Sequence, residues 1–318
     1  DSDMLAVQKK AAKLLNKLPA RKNCLLCEKK ITKGESFIHR NSKYINCNQC
    51  GHIQSLSDST MLNQKKISNS FSKIYKPEND KSYFSRRDRI YEPKLKWMIS
   101  NLNSTTYNKK KLAKSKWLEL GCGAGHFLSL LRKYGYNDYL GIDSNQDLIE
   151  VAQSKCGKEK AIKSENFIDL IKKSTADIYV SFFVLEHLDN PSLFWEVMRG
   201  KPKGTLFLFS VPSLSFSTLL ESSFDNYSAR SLDNHVHTQL YSDKSLDYII
   251  RKSGYVKSAE WLFGQDAMDL YRLLLRNNNS MNLANSILRK TNNLLDEIQS
   301  IFDKSRICDA RHILIEKK

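Results

Sequence analysis

Trp117-Leu118-Glu119-Leu120-Gly121-Cys122-Gly123-Ala124-Gly125, followed at once by His126-Phe127-Leu128-Ser129-Leu130-Leu131, decides how the chain folds. A short apolar run ends in glycines, and an amphipathic helix begins directly after them. This is the strand, turn and helix start in which a glycine motif acquires meaning. Glycine removes the Cβ where backbone must approach a ligand, and it tolerates positive φ in the turn. Loops of this kind commonly cradle a pyrophosphate at the helix N-terminus. Two features point elsewhere. Glu119 sits two positions before the first glycine and would repel phosphate, and the glycines run Gly-x-Gly-x-Gly in place of Gly-x-Gly-x-x-Gly. A carboxylate beside the turn suits a cationic or hydroxyl-bearing ligand.

The flanking sequence supplies the rest of such a site. Asn137-Asp138-Tyr139-Leu140-Gly141-Ile142-Asp143 reads as a second strand ending in an acid. Asp143 follows Gly121 by 22 residues, near the interval of about 20 at which an acid closes the next strand and holds a ribose diol. A third element, Asp177-Ile178-Tyr179-Val180-Ser181-Phe182-Phe183-Val184-Leu185-Glu186-His187-Leu188, completes the series. With LELGCGAG as first motif and FFVLEHL as the motif after the fourth strand, the series resembles the class I S-adenosylmethionine-dependent methyltransferases. The resemblance extends over about residues 70 to 318. The competing reading is a dinucleotide-binding dehydrogenase domain. The resemblance implies an α/β fold with a doubly wound, Rossmann-like, mostly parallel sheet and an antiparallel last strand. It also implies cofactor contacts at Glu119, Gly121, Cys122, Gly123, Asp143 and Ser144, with Asn166 and Phe167 beside the adenine and Phe183 nearby.

Composition sets outer limits. The 318 residues suffice for one large domain and a small one. No apolar run reaches the roughly 18 residues of a membrane span. The lysine-rich N-terminus lacks the apolar core of a signal peptide, so a cytoplasmic location is expected. A formal charge of +17 invites a nucleic-acid reading. The lysines are nevertheless spread along the chain, and the densest groups, Lys109-Lys110-Lys111 and Arg86-Arg87, lack interleaved stacking aromatics. A phosphate-bearing small substrate would use the same positive field.

The N-terminal part has its own chemistry. Residues 4–18 carry helical apolar spacing at Leu5, Leu14, Leu15 and Leu18 and stop at Pro19, as a basic helix or a tail over residues 1–20. Cys24-x2-Cys27 and Cys47-x2-Cys50 follow, nineteen residues apart. Two such knuckles at this separation signal zinc, with Cys24, Cys27, Cys47 and Cys50 as four thiolate ligands of a closed structural site. His52 is then a neighbour of the site and not a ligand. The predicted ribbon covers 21–56. Residues 57–115 link it to the catalytic domain, and Ile74-Tyr75-Lys76-Pro77 and Ser82-Tyr83-Phe84 are expected to cover the cofactor. Ribbon, aromatic segment and glycine loop in that order resemble bacterial methyltransferases of sugar and secondary-metabolite pathways. That resemblance implies a small, often glycosyl, acceptor in surface-polysaccharide or secondary-metabolite biosynthesis.

The catalytic domain is assigned to 116–318. Within it the polar, serine-rich stretch 212–240 is expected to be an irregular substrate loop, since connections this long are usually functional. Residues 265–305 read as a helical insertion, with Ile287, Leu288, Leu294, Leu295, Ile298, Ile301 and Phe302 on one stripe, as core or homodimer contact. Methyl transfer to a hydroxyl needs a base, and histidine is the commonest. His187, His235 and His237 are the candidates, with His237 preferred because His237-Thr238-Gln239-Leu240-Tyr241-Ser242 matches the family's spacing of a histidine before an aromatic and a serine. Asp233 with His235 and His237 is the alternative, as a metal site. Two other functions stay open: an RNA methyltransferase whose ribbon grips RNA, and a non-catalytic cofactor-binding scaffold.

Overall fold

The computed structural model describes residues 2–32, 35–58, 76–224, 226–234, 236–277 and 281–318. Among these, no helix is long and apolar enough to cross a membrane. Three short strands come first: β1 (Glu35–His39), β2 (Ser42–Asn46) and β3 (Ile53–Ser55). Then follow β4 (Trp117–Leu120), β5 (Tyr139–Asp143), β6 (Ala161–Lys163), β7 (Ile178–Phe182), β8 (Leu206–Pro212), β9 (Gln239–Leu240), β10 (Tyr255–Phe263) and β11 (Ala310–Lys317).

Seven strands form one sheet in the order β10-β11-β8-β7-β4-β5-β6. β6, β5, β4, β7 and β8 run parallel, and β11 inserts antiparallel between β8 and β10. Every residue of β4, β7 and β8 is buried, as continuous apolar strands between two helical layers must be. The chain winds from β4 through β5 to β6 on one side, then returns to place β7 on the other side of β4. Ligands of doubly wound sheets bind at that reversal, outside the carboxyl ends of the strands. Here the reversal brings the glycine loop after β4 and Phe183–His187 after β7 to one crevice. That architecture is the α/β, mostly parallel fold expected from the sequence.

A second sheet, β1-β2-β3-β9, joins the N-terminal segment to the far end of the substrate stretch. Its hairpin turns at Arg40 and Asn41, with φ of 51° and 63°, the doubly left-handed turn that matches strand twist. β9 pairs with β3, and Ser55 N–H donates to the Thr238 carbonyl at 2.7 Å. The first helix, Ser2–Leu15, is also attached. Buried Gln8 donates to the Ala229 carbonyl at 2.8 Å and accepts from its N–H at 2.9 Å.

One expectation is corrected and one is narrowed. The stretch 213–240 is not irregular throughout: Phe216–Ser223 is a helix opened by a Ser215/Thr218 capping box. The sequence disguises it because serine and threonine there cap the helix instead of breaking it. The stripe on the long helix Met281–Lys304 is not core as a whole, since Leu294 and Ile301 are 49% and 61% exposed while Leu295, Ile298 and Phe302 are half-buried. The side chains of Ile287 and Leu288, and residues Ile74 and Tyr75, lie outside the described residues.

Candidate active site and cysteine cluster

The glycine loop is built for close approach. Gly121, Gly123 and Gly125 have φ of 70°, 51° and 75°, conformations that L-side chains rarely adopt. A Cβ on Gly121 would overlap Val184 Cγ2, whereas the space above Gly123 is open. Asp143 is tied to this loop. One carboxylate oxygen accepts from Gly123 N–H at 2.8 Å and the other from Asn145 N–H at 2.9 Å. Burial raises the Asp143 pKa, and the backbone donors of Asn145, Gly123 and Ser144 pull it back. With three backbone donors on it, the carboxylate still keeps lone-pair capacity for a diol hydroxyl.

Glu119 lies beneath the loop, 3% exposed, with Oε2 unpartnered among the described residues. Burial, helped by Asp143, drives its pKa well above the carboxylate range, while Lys94 opposes the shift. Lys94 arrives from the helix that follows a π-turn at Arg87–Tyr91. It is 4% exposed, and its Nζ lies 4.8 to 5.3 Å from the ring centres of Phe182, Tyr91 and Phe183. Burial holds its pKa down at about 7. Tyr83 covers the loop from the same segment, donating its hydroxyl to the Gly125 carbonyl at 2.9 Å and stacking on His126. A partly cationic ligand carrying a ribose fits this set: an orphaned buried carboxylate oxygen, an open glycine and an acid held at the strand end.

Past β7 the backbone turns sharply at Phe183, with φ of 57°, and a 3-10 turn, Leu185–His187, presents the next residues. His187 Nε2 lies 3.3 Å from His237 Nε2. Each ring's Nδ1 faces a carbonyl, that of Val236 at 3.4 Å and that of Arg230 at 2.6 Å. A carbonyl only accepts, so both Nδ1 atoms carry hydrogen, and in the neutral rings both Nε2 atoms carry a lone pair. Burial, with His237 adding to it, lowers the His187 pKa to about 3. Glu186 beside it is 1% exposed, and burial raises its pKa to about 7. His237 is held by Asp233, whose Oδ1 accepts from Val236 N–H at 2.9 Å and His237 N–H at 2.8 Å.

The four cysteines converge. Cys24 and Cys50 sulfurs are 3.6 Å apart, Cys27 and Cys47 sulfurs 3.8 Å apart, and all four lie within 4.8 Å of one another. Tetrahedral zinc with bonds of about 2.3 Å requires sulfur separations of about 3.8 Å, so the cluster can hold that ion. His52 stands outside it, with Nε2 2.8 Å from the Gln239 side-chain oxygen.

Residues 90–259, more than half of the chain, match the family described as a methyltransferase domain. The chain belongs to this methyltransferase family. It is an S-adenosylmethionine-dependent methyltransferase. Among solved structures it is similar to magnesium protoporphyrin IX methyltransferase from Synechocystis, at 11% identity and a TM-score of 0.46, over 80% of this chain and 96% of that one. It is similar to a SAM-dependent methyltransferase from Archaeoglobus fulgidus at 17% identity and a TM-score of 0.48, over 78% and 99% of the two chains. A third is geranyl diphosphate C-methyltransferase from Streptomyces coelicolor, at 10% identity and a TM-score of 0.47, over 76% and 86%. No curated protein matches by sequence.

In this methyltransferase Gly123 bonds Asp143, Glu119 lies in the field of Asp143 and Lys94, Gly121 packs against Val184 and Lys94 faces Phe183, while Ser144 is exposed. The Cys122 thiol instead packs under the loop, where a Cβ on Gly141 would strike it, so only its backbone can face a ligand. Asn166 caps the helix Phe167–Lys173, and Phe167 is half-buried. His187 and His237 meet, while His235 lies outside the described residues. Two residues escaped the sequence reading. Lys94 falls at helical spacing with Tyr91, Leu95 and Met98, which placed it on the buried face. Glu186 lies inside FFVLEHL, where the sequence carries no sign that its carboxylate is left unpartnered.

Proposed function

We propose that this methyltransferase methylates a hydroxyl of a small, sugar-like acceptor, and that Cys24, Cys27, Cys47 and Cys50 hold a structural zinc. When bound, the cofactor supplies a methyl group on a sulfonium, which the acceptor oxygen takes as the carbon–sulfur bond breaks. Asp143 binds the ribose diol, the glycine loop admits the cofactor backbone, and Glu119 faces its cationic end. The hydroxyl proton leaves at the His187–His237 pair. The observation that carries this reading is that pair itself: two lone-pair nitrogens at the strand end, three residues beyond the valine that packs on Gly121. Holding the acceptor in line is worth about 7 to 11 kcal/mol, and a base adds roughly 10²- to 10⁴-fold. The polar stretch around Ser228–Asn234, braced by the N-terminal sheet, suits a hydroxylated acceptor, and the enzyme is read as cytoplasmic.

A panel of nucleotide sugars, free glycosides and structured RNA, assayed with labelled cofactor, tests the substrate class. Methylated sugar with no methylated RNA supports the reading, and the reverse result refutes it. Asp143→Ala should weaken cofactor binding by about 1.5 to 3 kcal/mol, the worth of a hydrogen bond to a charged group. Unchanged affinity by calorimetry would remove Asp143 from the site.

A further inference from the structure

Glu186, His187 and His237 offer one donor atom each, and the three atoms lie within 4.8 Å of one another. Both Glu186 oxygens are buried and lack a hydrogen-bond partner among the described residues, with His237 and the residue's own N–H acting on the carboxyl. The facing nitrogens of His187 and His237 are 3.3 Å apart. Two lone pairs pointed at each other at that distance repel unless something positive joins them. We infer that Glu186, His187 and His237 form a second metal site, which binds a divalent transition-metal ion of the zinc or cobalt class.

Three features select that class. Metal–imidazole bonds of about 2.0–2.1 Å in tetrahedral geometry place two nitrogens about 3.3–3.4 Å apart, the separation found here. Both Nδ1–H groups are donated to backbone carbonyls, the outer-shell bonds that fix a ligating tautomer and raise its basicity. Two imidazoles and one carboxylate select against magnesium and calcium, which prefer oxygen. Three protein ligands also leave the fourth position open, as catalytic sites do and the closed four-cysteine cluster does not. Asp233 is not among the three converging donors; its Oδ1 accepts from the N–H groups of Val236 and His237 and so shapes the loop that carries His237.

An ion here would take an acceptor hydroxyl into its open position and acidify it; the imidazoles then serve as ligands in place of the base role they have without the ion, and the proton passes to solvent. That catalytic role rests on the proposed hydroxyl acceptor, but the binding of the ion does not.

The test uses the full chain with its cysteine site filled by zinc, titrated with cobalt(II) chloride in the absence of cofactor and acceptor. One further equivalent should bind with visible d–d bands and no added thiolate charge-transfer band. Glu186→Gln and His237→Asn should each weaken that equivalent by about 10²-fold or more, since even outer-shell changes cost 10- to 100-fold. Retention of one zinc per chain shows that the variants are folded. Absence of a second equivalent, or cobalt appearing only with thiolate bands, overturns the metal site. A site that binds cobalt in an enzyme that methylates no hydroxyl overturns the acceptor reading alone. Sugar methylation by a protein that takes up no second ion retains that reading and removes the metal.

Discussion

The cysteine cluster and the crevice at the ends of β4 and β7 are both buried, yet they spend burial differently. At the cluster four identical donors face one another, and the hydrophobic core runs through them: Cys24, Cys27, Cys47 and Cys50 pack in one group with Trp195, Tyr241 and Ile249. In the crevice burial falls on groups that resist it. Glu119 and Glu186 are held in a medium that favours their neutral forms, and Lys94 is stripped of most of its hydration. On the zinc proposal, the first arrangement stabilises the fold once an ion is bound. The second stores desolvation cost where a ligand can relieve it, as sites selected for function commonly do. Substitutions should therefore act in opposite directions in the two regions.

The largest effect is expected at the cysteines. Removal of zinc with a strong chelator, or Cys47→Ser, should release the anchor of β2 and β3, and with β3 its partner β9. Because structural zinc sites couple binding to folding, the loss should reach the catalytic crevice through β9 and abolish methyl transfer. Zinc analysis with a thermal melt checks this. A Cys47→Ser protein that retains activity and melting temperature would show that the cluster is an ornament of the fold.

Lys94→Met should act the other way. The folded pKa of about 7 lies below the ordinary lysine value of 10.5, so between those pH values the native state binds fewer protons than the unfolded chain. Stability conferred by losing that proton therefore rises with pH, and the cost of the buried ammonium is fully present below about pH 7. The methionine variant should melt higher than the parent, by an amount on the order of a few kcal/mol. The difference should be largest below pH 7 and shrink towards pH 10. A difference that grows with rising pH would mean that Lys94 is paired and charged in the native state.

How far each region could be read beforehand follows from the same contrast. The cysteine spacing and the glycine turn are local patterns, because backbone geometry imposes both, and the doubly wound, mostly parallel sheet follows from the resemblance that the glycine turn, Asp143 and the β7 segment carry. The meeting of His187 with His237 depends on two segments 50 residues apart, brought together by β9 and by the Gln239 amide on the Leu188 carbonyl. Glu186 looked like part of a motif that serves the fold, since nothing in a sequence shows a carboxylate left without partners. The helix Phe216–Ser223 was hidden by serines that read as loop when taken one at a time.

The smallest effect should come from the residue that joins the two regions. Gln239 sits in β9, where its side-chain oxygen meets His52 Nε2 at 2.8 Å and its amide donates to the Leu188 carbonyl at 2.6 Å. One side chain thus links the residue two beyond Cys50 to the residue after His187. Gln239→Ala removes both bonds and leaves a buried imidazole nitrogen and a buried carbonyl unpaired, a loss of about 1 to 3 kcal/mol for each group left unsatisfied. The four sulfurs do not depend on this amide, so zinc content should stay at one per chain. His187 should lose its fixed position, since the turn that carries it is no longer pinned at Leu188. Turnover should fall several-fold while cofactor affinity holds, because Asp143 and the glycine loop lie on other strands. Gln239→Glu separates position from pairing: it keeps the acceptor for His52 but loses the donor to Leu188. If the glutamate variant turns over like the parent, the link to His187 carries no positioning role and the two regions act independently.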